Sequence, residues 1–229
     1  MTEPALPVVL VHGLLASPAM MWPMKRRLTR AGLRVFTVRL GPGVLGDVRA
    51  LAGQLDGEVA RICRETGAAR VDVVAVSQGG VLALWWAHHL GGFARLERLL
   101  LVGAPVRGTW AAALGALAFG AVSRGVWQIL PGSTVVRELN RPLPHGVRVH
   151  TLGLTTDPVV PPASCVVAGA VNEVLPARLG PLSHQWLVLS RPIADRVVAL
   201  LAPAAAGDPS DGPSMGIGAP EWRGAPSAP

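Results

Sequence analysis

Short runs of β-branched and leucine residues alternate along this chain with longer segments whose apolar residues recur at helical spacing, and that alternation restricts the fold more than any other feature. Strand-like runs cover residues 7–11, 33–39, 71–76, 98–102 and 147–152, with a shorter one at 171–175. Helical segments cover 18–31, 47–66, 78–90 and 190–201. In 47–66 the residues Val48, Leu51, Ala52, Leu55, Val59 and Ile62 make a single apolar stripe, and Ser17-Pro18 and Ala31-Gly32 punctuate the first helix. Strands interleaved with helices imply an α/β fold with a mostly parallel central sheet covered on both faces. A length of 229 residues with 50% hydrophobic and 15% charged residues suits one core. One domain is expected over 1–202. From Pro203 onward Ala, Gly, Pro, Ser and Asp dominate, so 203–229 is expected to be a disordered tail.

Composition narrows the function classes. Lys and Arg number 21 against 14 Asp and Glu, but apart from Lys25, Arg26, Arg27 and Arg30 the cations are scattered and no aromatic run accompanies them. No nucleic-acid partner is expected. Cys63 and Cys165 are too few for a disulfide framework, and no His, Cys or carboxylate set has metal-ligand spacing, so neither a metal nor another cofactor is expected. The first strand begins too early for a leader to precede it, which predicts a cytoplasmic protein, or a secreted one if the true start lies upstream. The stretch 110–122 is apolar but too short to span a bilayer.

The chemistry concentrates at Val71-Asp72-Val73-Val74-Ala75-Val76-Ser77-Gln78-Gly79-Gly80. A buried strand runs directly into Ser77, and two glycines then open a helix. A serine on so sharp a strand-to-helix turn projects its hydroxyl from the sheet end, with small residues two positions before and after it. Ala75 stands in the usual glycine place. The helix N-terminus near Gln78 supplies amide donors suited to a developing negative charge. The hexapeptide alone reads first as a serine N-cap followed by glycines in a Rossmann-like turn, and it is the strand before it and the other segments that favour a nucleophile. Val8-Val9-Leu10-Val11-His12-Gly13-Leu14-Leu15 is an early strand ending in His-Gly, and the loop after it can supply a second backbone donor. The amides of Leu14 and Gln78 are the candidate oxyanion donors, with His12 fixing the loop.

Together the segments VVLVHGLLASPAMMWPMKRRL, AVSQGG, LLLVGAPVRGT, TTDPVVPP and LSHQWLVLS resemble the small bacterial triacylglycerol lipases and esterases of the α/β-hydrolase superfamily, over residues 6–202. The resemblance implies the α/β-hydrolase fold with a short helical insertion near the active site. It also implies a serine hydrolase that cleaves apolar acyl esters through an acyl-enzyme, with the order Ser, Asp, His. Asp157, just past the 147–152 strand, then matches the acid, although an Asp-Pro turn accounts for the same residues. His184, on a late loop, matches the base. Asp72 is the rival acid, but it begins the strand that ends at Ser77 and so points to the wrong sheet end. Asp195 falls in the last helix. His88 and His89 end a helix and are expected to face solvent or stabilise its C-terminus, while His145 and His150 are expected at the surface or in packing.

The chain departs from the family's habit at Leu15-Ala16, where glycines are common, at Val76, where histidine is common, and at Ser183, where glycine is common. Leu15, Trp110 and Leu114 are the expected substrate-pocket residues. The stretch they introduce could line an acyl pocket, meet a lipid surface, or be a core-packing helix pair. The expected partner is a small-molecule or lipid ester, with transient contact with a lipid surface, and the expected state is a monomer. The same residues would serve an acyltransferase or thioesterase, and a non-catalytic relative would keep the cleft alone.

Overall fold

The computed structural model describes residues 6–41, 44–119, 123–176 and 184–202. The expected tail, 203–229, lies outside them. Six strands, β1 (Pro7–Val11), β2 (Arg34–Thr37), β3 (Val71–Val76), β4 (Leu96–Val102), β5 (Arg148–Leu154) and β6 (Val171–Leu175), form one sheet in the order β2-β1-β3-β4-β5-β6. Every pairing is parallel.

Side-chain alternation divides the strands between two cores. Val9, Val11, Val73, Ala75, Leu99 and Leu101 face one side, beneath α2 (Val48–Thr66) and α3 (Gln78–His89). Val8, Leu10, Val74, Val76, Leu100 and Val102 face the other, beneath α1 (Trp22–Arg30) and α7 (Arg191–Leu201). Burial on both faces is why these strands are continuous apolar runs rather than alternating ones. Helix α2 buries the six residues of its apolar stripe; Asp47 caps it by accepting from the amides of Arg49 and Ala50, and Gly67 ends it in the left-handed region.

Three short helices, α4 (Ala111–Phe119), α5 (Arg124–Gln128) and α6 (Thr134–Leu139), are inserted between β4 and β5. They lie on the α2/α3 side, where α4 packs on α5 and α6 packs on α3. The chain leaves β1 outward to β2 and then crosses back to β3. Their adjacent C-terminal ends therefore form the switch point at which open parallel sheets place their sites.

Candidate active site

Ser77 sits at that switch point, between β3 and α3, with φ 54° and ψ −129°. A non-glycine residue there is strained, and the surroundings hold it in place. The Ser77 amide donates to the Val102 carbonyl at 2.8 Å, and its own carbonyl accepts from the Gly80 amide at 2.9 Å. The approach of the loop after β1 depends on glycines. A Cβ on Gly79 would stand 2.6 Å from the His12 carbonyl oxygen, and one on Gly13 would stand 2.9 Å from the Ser77 Cβ and 3.3 Å from its Oγ. The Gly13–Leu14 peptide is thus beside the hydroxyl, across from the first turn of α3, where amides have no partner within the helix. Leu15 has φ 55°, a left-handed conformation that non-glycine residues rarely adopt. His12 is buried, with Nδ1 3.2 Å from the Gly13 carbonyl oxygen. Burial pushes its imidazole below the ordinary histidine range, against a smaller upward pull from that carbonyl.

The structure brings His184 and Asp157 to this serine. Ser77 Oγ lies 2.8 Å from His184 Nε2, and His184 Nδ1 lies 2.7 Å from Asp157 Oδ2. The other Asp157 oxygen accepts from the amides of Val159 and Val160 at 2.8 and 2.9 Å, so the buried carboxylate is fixed by its own loop. This loop is in turn pinned by Thr109, whose hydroxyl donates to the Val159 carbonyl. No sequence pattern marks Thr109, because its role depends on the packing of the segment after β4 against the loop after β5. Ser183 lies outside the described residues.

The rival groups are engaged elsewhere. Asp72 is buried and held by two bonds from Arg98, at 2.8 and 2.6 Å. Five steps along the strand separate it from Ser77, about 16 Å. His88 and His89 stand in the last turn of α3, and of the two expectations, facing solvent or stabilising the helix end, full exposure does not hold: both are half-buried, His89 stacked on Trp85 at 4.5 Å and His88 edge-on to Phe93 at 5.0 Å. Burial pushes the Cys165 thiol up to about 12, with the Asp157 charge adding to the effect, which leaves it no nucleophilic character at neutral pH. Among the described residues no His, Cys, Asp and Glu group is placed to hold a metal.

A cavity of about 390 Å³ opens over Ser77 and His184. Leu15 lines it, but Trp110 and Leu114 do not, being 76% and 72% exposed. The insertion is turned the other way, so that Ala111, Ala112 and Gly115 face the cavity, opposite Val159 and Val160. Among the described residues that line it, none is Asp, Glu, Lys or Arg.

No protein-family model and no curated protein matches the chain. Solved structures do match. The mature lipase BlEst2 of Bacillus licheniformis superposes with a TM-score of 0.73 at 18% identity, over 89% of this chain and 95% of that one. An α/β hydrolase enzyme from a lagoon-sediment metagenome gives 0.59 at 15% identity, over 87% and 90%. The fold is that of the α/β-hydrolases. A bromoperoxidase of Bacillus anthracis matches with a TM-score of 0.60 at 14% identity, over 87% and 92%, so structural neighbours of this chain differ in their named activities.

Proposed function

We propose that this α/β-hydrolase chain is a serine hydrolase of uncharged carboxylic esters with apolar acyl groups. The observation that carries the reading is the continuous Ser77–His184–Asp157 relay, with links of 2.8 and 2.7 Å, at the floor of an apolar cavity. His184 Nε2 accepts the Ser77 proton as Oγ attacks the ester carbonyl. The amides of Leu14 and Gln78 donate to the oxyanion, and Asp157 holds Nδ1–H and stabilises the imidazolium. Collapse expels the alcohol with the proton from Nε2. Water, deprotonated by the same nitrogen, then cleaves the acyl-enzyme. The lining favours a neutral acyl group, because a carboxylate or ammonium buried there would find no opposite charge. The lipase among the structural neighbours supports the ester reading at the level of resemblance.

Hydrolysis of a p-nitrophenyl acyl series by the purified protein tests it, with an acyl thioester and an alcohol acceptor alongside. Release of p-nitrophenol with free acid as the acyl product supports the proposal. Transfer to the alcohol, or a preference for the thioester, reassigns the same residues to an acyltransferase or thioesterase. No turnover of any of the three refutes it.

A further inference from the structure

Among the described residues, most exposed large apolar side chains belong to segments that wall the cavity, with Leu90, Val171 and Val174 lying elsewhere. Leu15 and Met20 form part of the cavity wall and are also half exposed. Around them the exposed tryptophans Trp22, Trp110, Trp127 and Trp186 each adjoin a lining residue: Met21, Ala111, Val126 and Gln185. Trp85 and Trp86, by contrast, are buried. Trp110, Leu114 and Leu117 fall at positions i, i+4 and i+7, so they make one outward stripe on α4, where Leu117 is 85% exposed. Exposed tryptophans beside exposed leucines are the side chains that suit a membrane–water interface. Among the described residues no helix is long and apolar enough to cross a bilayer.

The charge beside this rim is predominantly positive. Helix α1 starts at Trp22, carries Lys25, Arg26, Arg27 and Arg30, and contains no acid. A groove between α1 and α7 is lined by Trp22, Arg26, Arg27, Arg30 and Arg191, with Asp195 the one carboxylate among its lining residues. The Arg26 guanidinium lies 5.1 Å from the Trp22 ring centroid, and Arg27 Nη1 donates to the Leu189 carbonyl at 3.0 Å, joining the groove to the turn that follows His184. A chain of net charge +7 that gathers arginines beside its most apolar face repels a second copy of that face and attracts an anionic one.

We infer that this rim and the arginine groove together form a docking face for a lipid bilayer bearing anionic phosphate headgroups, with α4 and the tryptophans in the interfacial layer and the α1/α7 groove on the headgroups. The test is co-sedimentation of the Ser77→Ala protein, which leaves the lipid unhydrolysed, with phosphatidylcholine vesicles and with vesicles that also contain phosphatidylglycerol. The expected result is partition onto the anionic vesicles about tenfold stronger or more, because each cation near such a surface adds appreciably to binding. The preference should shrink as salt is raised. Arg26→Gln with Arg30→Gln removes the preference, and Trp110→Ser with Leu117→Ser weakens binding to both vesicle types, each pair keeping the parent's thermal unfolding midpoint. Absence of partition, equal partition onto both compositions, or indifference to both variant pairs overturns the inference. So does a concentration-dependent dimer in sedimentation velocity that Trp110→Ser with Leu117→Ser abolishes, which would assign the face to a second copy. The readout needs no turnover, so failure of the ester-hydrolase reading leaves it intact, and its failure leaves that reading intact.

Discussion

The stretch Gly79–Ala87 of α3 and the whole of α4 are apolar on every side, yet one is enclosed by the molecule and the other turns leucines to solvent. Every residue of α3 from Gln78 to Ala87 is buried, between β3 on one side and α2 and α6 on the others. Among the described residues, helix α4 packs on α5 and buries Ala112 and Ala116, while Leu114 and Leu117 stay exposed. An all-apolar helix must be surrounded by something. For α3 that is the protein itself, and the enclosure gives Ser77 a rigid turn. For α4 the cover on its outer side is the lipid surface inferred above.

The largest effect that sharpens this contrast comes from paired tryptophan truncations. Trp86 is fully buried in α3 and donates from Nε1 to Asp56 at 2.8 Å. Trp86→Ala is expected to cost about 4 kcal/mol. Trp110→Ala should cost less than about 0.5 kcal/mol. Chemical denaturation of the two variants measures both, and equal losses would break the comparison.

Paired glycine substitutions should differ by less. A Cβ on Gly79 meets backbone oxygens of His12 and Val11 at 2.6 and 2.8 Å, which can yield only by moving the loop beside Ser77. Gly79→Ala should therefore cost about 3 kcal/mol and lower kcat more than it raises KM. A Cβ on Gly115 of α4 meets only Val126 Cγ1 at 3.3 Å. Gly115→Ala, which also gains helix propensity, should stay within about 1 kcal/mol of the parent, and the acyl-series assay should report a narrower cavity rather than a lost turn.

The smallest expected effect is a pH slope. Burial pushes the His88 imidazole at the end of α3 down to about 4, with the charges of His89 and Arg141 acting in the same direction. The unfolded chain, with an ordinary value of about 6.5, binds the proton more readily. Stability should be level above that value and fall as pH drops from about 6.5 toward 4. His88→Gln should flatten this slope in urea midpoints measured across the range. His12 and His150, lowered by burial too, leave a residual slope of the same sign. Helix α4 carries no titratable group and adds nothing to it.

The same contrast explains what was legible in the sequence. Strand and helix alternation was readable because its apolar runs are set by burial on both sheet faces, and Ser77, Asp157 and His184 stand out because each occupies a loop that a strand delivers. The outward turn of Trp110 and Leu114 was not readable. Where all positions of a segment such as AAALGALAF are apolar, periodicity carries no direction, and only the packed neighbours decide which side faces in. Strand ends were set in the same way. Helical and strand propensity stop β5 at Leu152, but pairing of Gly153 with Val174 and Leu154 with Leu175 carries it two residues further. The half-burial of His88 and His89 depends on Phe93 and Glu138, contributed by other elements.

The most direct test of the whole account is mass-spectrometric mapping of the adduct formed by a fluorophosphonate probe on the native chain, compared with Asp157→Asn. An activated Ser77 should carry the phosphonyl group stoichiometrically, and the Asp157→Asn protein, with its imidazole held in the wrong tautomer, should label slower by a factor on the order of 10⁴. A native chain that stays unlabelled, or an adduct that maps to any residue other than Ser77, would contradict it.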